Sequence, residues 1–532
     1  MNMKNKMILT LLGLLPLFSC TDMLEIEQKG VVKEETYYSS DEDALSAITV
    51  VYSTLSASNW FMDNSVRNVL SDDIYSAGGT RGDNANYEQL NEYNFAVNNA
   101  YIPGIYSFYY NVIYYSNVLL DKFSQGESDA KDRCIAEARV FRAWAHMQLA
   151  TLWGNPPLID HIFEGSSEYQ QPNSDPETLW KFIVDELGEA AAKLPSKSGI
   201  DEPVVRLTKE AALAFRGKAQ VLSGDYSGAK NTLRQVIDSG LYGLVPSSAL
   251  GELFTGKYDL CRETIYETNL VYNQSNVWFA YVNGPNMYGP RTDRLSGYPN
   301  SIYSIGWGFF NPRQEFIDEF RKNEEGSPRF KAWVRSWDDL LADGVSGIQG
   351  NYIYGCSGWF DWKFHVDKDD VPAEGYGYCW MKNPRWMRYA EVLLLYAEAC
   401  AVAGDSDGGG LKALNDIQNR AGAPVTSLTL GNVKREKRFE MWMEGVRITD
   451  VIRWGDVSKT SLPEQGRYIP LFKGKASDGS YIVDKTTYTN ENYGFKTGRH
   501  ELLPYPEVET ISNSKIVQNP GWGTENSTNS ND

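Results

Sequence analysis

The sequence predicts a mainly α protein, a scaffold of antiparallel helix pairs carrying an irregular, loop-rich and partly β half. Three observations carry that prediction. Apolar residues recur at three- and four-residue steps through several long segments, the spacing that gathers them on one helix face. Gly-Asp turns and small residues join some of these segments into pairs. Between about 241 and 388 the helical period fades, and Gly, Asn, Pro and aromatic residues take over.

The elements follow in chain order. Lys4 and Lys6 precede an apolar run over 7–18. Twelve residues fall short of the roughly 20 needed to span a bilayer, so 1–19 reads as a signal peptide. It ends in Leu17-Phe18-Ser19-Cys20, which resembles a bacterial lipobox. Cleavage would leave Cys20 as the first residue, acylated on sulfur and held in a membrane by several acyl chains. No second apolar run reaches 18 residues, so the rest of the chain is expected to be anchored rather than to cross.

Amphipathic helices are predicted over 41–56, 99–122 and 131–153. In the last, Ile135, Ala138, Phe141, Ala145, Leu149 and Leu152 line one face, and Gly154 with Pro156-Pro157 stops it. In 219–237, Ala219, Gly224-Asp225-Tyr226, Ala229 and Leu233 resemble the middle of a tetratricopeptide unit. A looser copy spans 389–421, with Tyr396-Ala397-Glu398-Ala399, Gly404-Asp405 and a turn stretched by Gly408-Gly409-Gly410. Such units bury their faces only against neighbours, so a continuous tetratricopeptide-like stack is expected. The resulting division is 20–240 as a helical part and 241–532 as a second part containing the aromatic region 272–388, the two intertwined.

Composition narrows the functions. The 532 residues carry a formal charge of −18, which repels phosphate backbones, so nucleic-acid binding is not expected. Removal of 1–19 takes two lysines and no acids, so the charge becomes −20. Six cysteines (Cys20, Cys134, Cys261, Cys356, Cys379 and Cys400) show no CxxC spacing, and the four histidines form no HExxH. Neither a disulfide framework nor a catalytic metal is expected, and no cofactor is implied.

Aromatic residues make up 13% of the chain and concentrate over 272–310, where only Arg291, Asp293 and Arg294 are charged. Flat rings match the apolar faces of sugars, and Asn, Asp and Arg match their hydroxyl edges. Over 352–389, Phe360, Trp362 and Phe364 alternate with Asp361, Lys363 and His365, a strand pattern with a structural reading. Asp72-Asp73, Asp338-Asp339 and Asp369-Asp370 are adjacent doublets. A glycosidase needs two carboxyls about 5–10 Å apart across the sugar, which neighbours in sequence rarely supply. Asp72-Asp73 lies before the loop glycines Gly78-Gly79, where it would bond sugar hydroxyls or hold a structural calcium ion.

The C-terminal half carries a resemblance. Arg388-Tyr389-Ala390-Glu391-Val392-Leu393-Leu394-Leu395-Tyr396-Ala397-Glu398-Ala399 resembles the signature helix of the SusD/RagB family of outer-membrane nutrient-binding lipoproteins. Leu414-Asn415-Asp416-Ile417-Gln418-Asn419-Arg420-Ala421-Gly422 does so too. So does the segment through Arg435, Arg438, Glu440, Glu444, Gly445, Arg447, Asp450, Arg453, Trp454 and Gly455. Glu501-Leu502-Leu503-Pro504-Tyr505-Pro506 and Gln518-Asn519-Pro520-Gly521-Trp522 complete the match. The segment 435–453 is read as one helix whose charges form a buried ion network.

The resemblance implies a surface-exposed, lipid-anchored outer-membrane protein that binds oligosaccharides without catalysis. It would pass them to a SusC-like TonB-dependent transporter. It also implies candidate ligand residues: Asp72, Asp73, Tyr101, Trp278, Tyr281, Tyr288, Tyr298 and Trp307. Competing readings are a lipid-anchored glycoside hydrolase and a peptide- or protein-binding transporter partner.

Overall fold

A computed structural model describes residues 38–200, 205–270, 284–299, 305–371, 381–487 and 492–523. Cys20, Trp278, Tyr281 and Cys379 lie outside the described residues.

Helix starts are written in the sequence as side-chain caps. Ser40 caps α1 (Asp41–Thr54) in a box with Asp43, and Ser56 caps α2 (Ala57–Val69). Asn84 caps α3 (Ala85–Asn91), and α4 (Tyr101–Lys122) begins without a side-chain cap. Ser128 caps α5 (Asp129–Trp153), and Asp175 caps α6 (Pro176–Lys193) with proline at its first position. Thr208 caps α7 (Lys209–Ser223) and Asp225 caps α8 (Tyr226–Asp238). Each cap satisfies one of the orphan amides that every helix start exposes. Ser56 makes 41–56 end two residues early and opens α2, which the apolar period did not predict.

Consecutive helices from α4 to α8 pack in series. At the Gly224-Asp225 turn, Gly224 is left-handed (φ +88°) and the Asp225 carboxylate accepts from the Gly228 amide at 2.8 Å. The crossing is tight, since a Cβ on Gly217 would stand 2.3 Å from Leu233.

Three short helices follow: α9 (Gln314–Glu324), α10 (Pro328–Trp333) and α11 (Trp337–Ala342). The stack then resumes, with α12 (Tyr389–Ala403) against α8 and α13 (Gly409–Ala421) against α12. The glycine run between the last two has a use there, because a Cβ on Gly410 would strike Cys400.

The predicted 435–453 helix is two helices, α14 (Leu430–Glu440) and α15 (Arg447–Arg453). Met443 and Gly445 take positive φ and break it. The break is held from α2. Asn64 and Asn68 donate to the Met443 carbonyl at 3.1 and 2.8 Å, and Asn68 accepts from the Gly445 amide.

The predicted ion network exists and is assembled by tertiary contacts. Glu440 accepts from Arg329 and Arg388, each at 2.8 Å, and from Arg420. Glu444 accepts from Arg388 and Lys363 at 2.7 Å. Burial works against the Glu440 charge, but the guanidiniums of Arg420, Arg388 and Arg329 outweigh it and hold the carboxyl well below its usual range.

Within 352–389, Ile353–Tyr354 and Arg385–Arg388 are separate short strands, and the alternating residues form a strand only at Trp359–Asp361, paired antiparallel with Val334–Ser336. Both of its faces are buried. Phe360 and Trp362 enter a satellite core with Trp337, Leu340 and Phe472, and Phe364 joins the main core. Asp361, Lys363 and His365 are buried as well, so both faces of the alternating segment lie inside the protein. Lys363 instead donates to the Glu440 and Trp442 carbonyls and sits 3.9 Å from the Trp333 ring centre. The main core draws residues from Ala44 to Trp522. Cys134, Cys261, Cys356 and Cys400 are free thiols, and Cys134 and Cys400 lie buried in helices as small apolar residues.

Candidate functional site

One buried antiparallel ladder joins the two halves of the chain. Ile74–Ser76 pairs with Phe310–Pro312, with Ile74 opposite Pro312. The pairing continues outward through Ala77 to Phe309 (2.8 Å) and Gly78 to Gly308 (3.0 Å). The exposed loop around Thr80–Asp83 is thereby welded to the segment that carries Trp307.

Glycine makes this approach possible. Gly78 has φ +116°, and a Cβ there would lie 2.8 Å from the Phe309 ring. A Cβ on Gly79 would lie 2.8 Å from the Arg291 guanidinium carbon. Only a residue without a side chain lets the loop and that guanidinium meet.

Arg291 organises the junction. It donates to Asp83 at 2.8 Å and to Asp293 at 2.9 Å, and Asp83 also accepts from the Gly79 amide at 2.7 Å. Arg291 further reaches the Trp307 carbonyl at 3.4 Å. Trp307 is half-buried, one side against the main core, and its amide donates to the Asn286 carbonyl.

Tyr101, at the first turn of α4, is also half-buried. Its ring stacks on Tyr87 with centres 4.3 Å apart and planes within 10°. Its hydroxyl accepts from Asn84 at 2.8 Å. Tyr101, through Asn84, and Trp307, through its carbonyl and Arg291, are thus both tied to the same loop. That combination offers flat apolar faces and a hydrogen-bonding edge, the two surfaces of a sugar.

Other expectations for the site need correction. Asp72 and Asp73 are each 2% exposed. Asp72 pairs with Arg447 at 2.7 Å and Arg438 at 3.1 Å, and Asp73 pairs with Arg438 at 2.7 Å. Both carboxylates pair with arginines inside the protein, away from the exposed glycine loop. Burial opposes ionisation of both. The two arginines overcome it at Asp72, while Asp73, beside the charged Asp72, is pushed up to about 6. Among the described residues no group of three His, Cys, Asp or Glu side chains converges as metal ligands would.

Tyr288 is 1% exposed, and its hydroxyl accepts from Asn64 at 2.9 Å. It belongs to a run of rings, Tyr101–Tyr87–Phe310–Tyr288–Phe364, leading from the surface into the core. Its role is to support the platform from beneath. Tyr298 is half-buried and packs on the satellite core. Asp83, Asn84 and Arg291 were not among the expected ligand residues. The glycine pair followed by Asp83-Asn84 was the available signal, but only the fold brings Arg291 to it.

A groove of about 500 Å³ lies elsewhere, lined by Phe123, Arg139, Arg142 and His161 among others. It offers no comparable platform, since Phe123 is buried and meets Tyr38 edge-on.

The comparisons with known proteins agree with this architecture. The SusD family profile matches residues 273–522. A second profile, described as starch-binding associating with outer membrane, matches residues 30–219. A SusD-like protein of Bacteroides ovatus is 24% identical, covering 97% of this chain and 98% of that protein. The structure of a laminarin-binding SusD-like protein superposes with a TM-score of 0.73 at 25% identity, over 90% of this chain and 99% of that one. Surface glycan-binding protein A from Bacteroides thetaiotaomicron, solved with laminarihexaose, gives 0.70 at 21% identity, over 90% of this chain and all of that one. The chain belongs to the SusD/RagB family.

Proposed function

We propose that this protein is a non-catalytic, cell-surface glycan-binding lipoprotein, with Tyr101 and Trp307 as the stacking surfaces of its site. The observation that carries the reading is the welded junction itself. Two part-exposed rings, Asp83, Asn84 and Arg291 are tied together by one ladder and by the Arg291–Asp83 and Asn84–Tyr101 contacts. Relatives named for glycan or laminarin binding support it. Trp278 and Tyr281 belong to the same reading as further rings of the site.

The pairing of the acids beside Arg291 supports binding rather than hydrolysis. Asp83 and Asp293 both pair with Arg291. A hydrolase would need one acid in a site that raises its pKa, opposite a second carboxyl. Anchoring through acylated Cys20 in the outer membrane, and delivery to a SusC-like transporter, complete the proposal. The lipobox and the family's described outer-membrane association support them.

Isothermal titration of the mature chain against neutral and acidic oligosaccharides, laminarihexaose included, tests the reading. Micromolar to millimolar binding that weakens in Trp307→Ala is expected. Reducing-sugar release that one Asp or Glu substitution abolishes would replace it with a hydrolase. Folded protein that binds no member of a broad panel would overturn it.

A further inference from the structure

The guanidiniums around the glycine loop are not equally partnered. Arg81 pairs with Glu88 and Glu92, and Arg291 with Asp83 and Asp293. Arg294 lies one short turn beyond Arg291, its amide donating to the Arg291 carbonyl at 3.1 Å. Among the described residues no carboxylate pairs with it. Its contact with the loop is one long hydrogen bond, Nη2 to the Gly79 carbonyl at 3.4 Å. Its Nε is buried and has no acceptor.

A half-buried guanidinium that keeps its charge needs an anion or good acceptors, because burial strips its water. In a chain with 69 acids and 51 bases, a carboxylate is the easiest partner to supply. Among the described residues Arg294 nonetheless has none, and it sits against the same Gly79 that contacts Arg291. Guanidinium favours planar, two-point recognition of carboxylate or sulfate oxygens.

We propose that the platform takes an acidic oligosaccharide, with Arg294 pairing to a carboxylate or sulfate group beside the stacked sugar. The proposal rests on the glycan-binding reading above and names the ligand's chemical class. The overall charge of −18 sets the ligand's character further: one acid group at the site, with neutral sugars around it, avoids the repulsion that a dense polyanion would meet. The expected ligand is thus sparsely charged.

The test uses the mature chain and three length-matched oligosaccharides: one neutral, one bearing a uronic acid and one bearing a sulfate ester. Titrations run at low and high salt. At least one acidic sugar should bind about tenfold more tightly than the neutral one, with the advantage shrinking in high salt. Arg294→Gln should remove that advantage and leave neutral-sugar affinity unchanged, while Arg294→Lys should restore part of it. Which acidic sugar gains tells carboxylate from sulfate. Thermal melts check that the variants fold.

Equal affinity for neutral and acidic sugars overturns the proposal and leaves the glycan reading standing. So does an acidic preference that survives Arg294→Gln. No binding to any of the three, with intact folding, counts against the glycan reading itself.

Discussion

Two arginine–carboxylate clusters in this molecule use the same chemistry for opposite ends. Around Glu440, the carboxylates of Glu440 and Glu444 meet Arg329, Arg388, Arg420 and Lys363 with almost no exposure. At the glycine loop, Asp83 and Asp293 meet Arg291 with the acids in contact with water. The first cluster ties α14 to α10, α13 and the start of α12, and every charge in it depends on another. The second fixes loop geometry while its acids stay in contact with water. Burial, more than residue type, separates a buried lock from an open contact.

That contrast can be tested from its strongest arm down. Glu440→Gln removes the charge that compensates three guanidiniums. Breaking a buried pair costs about 3–5 kcal/mol, so urea unfolding should show a loss of that order or no folded protein. A variant with unchanged midpoint would mean the cluster is better hydrated than its exposure indicates.

Asp361 sharpens the buried side through pH. Burial pushes its carboxyl up to about 7, against opposing contacts from the Lys363 amide and charge. A carboxyl whose folded pKa is raised holds its proton in the folded state after losing it in the unfolded one. It therefore opposes folding increasingly as pH rises from about 4 to about 7. Asp361→Asn should raise the melting temperature at pH 8 relative to wild type, and by clearly less at pH 4. A gain independent of pH would show that the charge is not the cause.

On the exposed side, Trp307→Ala should cost about 1–2 kcal/mol of glycan affinity by titration, since a central ring is the commonest energetic anchor. The smallest effect belongs to Asp83→Asn. Solvent-facing ion pairs contribute about 0–1 kcal/mol, so the melting temperature should barely move. Affinity should still fall, because the loop loses the acceptor that orients Gly79 and Arg291. A large stability loss from Asp83→Asn would erase the distinction between the two clusters.

Legibility followed the range of the interactions. Helices α5, α7, α8, α12 and α13 were readable because caps, Gly-Asp turns and apolar steps act over a few residues. Helix α14 was read through its own end because its helical charges continue past Glu440. The break comes from Asn64 and Asn68, nearly four hundred residues away in sequence. Of the expected site, Tyr101 and Trp307 stand on the platform. Asp72-Asp73 looked available beside a glycine loop, but Arg438 and Arg447 arrive from the far end of the chain. Tyr288 shared a segment with Trp307, yet a ring's neighbours, rather than its segment, decide which way it faces.

The sequence by itself determined the helical pairing, the family and the lipobox motif. Each depends on local spacing or on motifs read in order. The tertiary structure alone decided which charges are buried, which rings reach the surface, and that among the described residues Arg294 lacks the carboxylate its neighbours possess. Those outcomes depend on distances between residues far apart in the chain. Burial multiplies the effect of such distances by removing the water that would otherwise screen them.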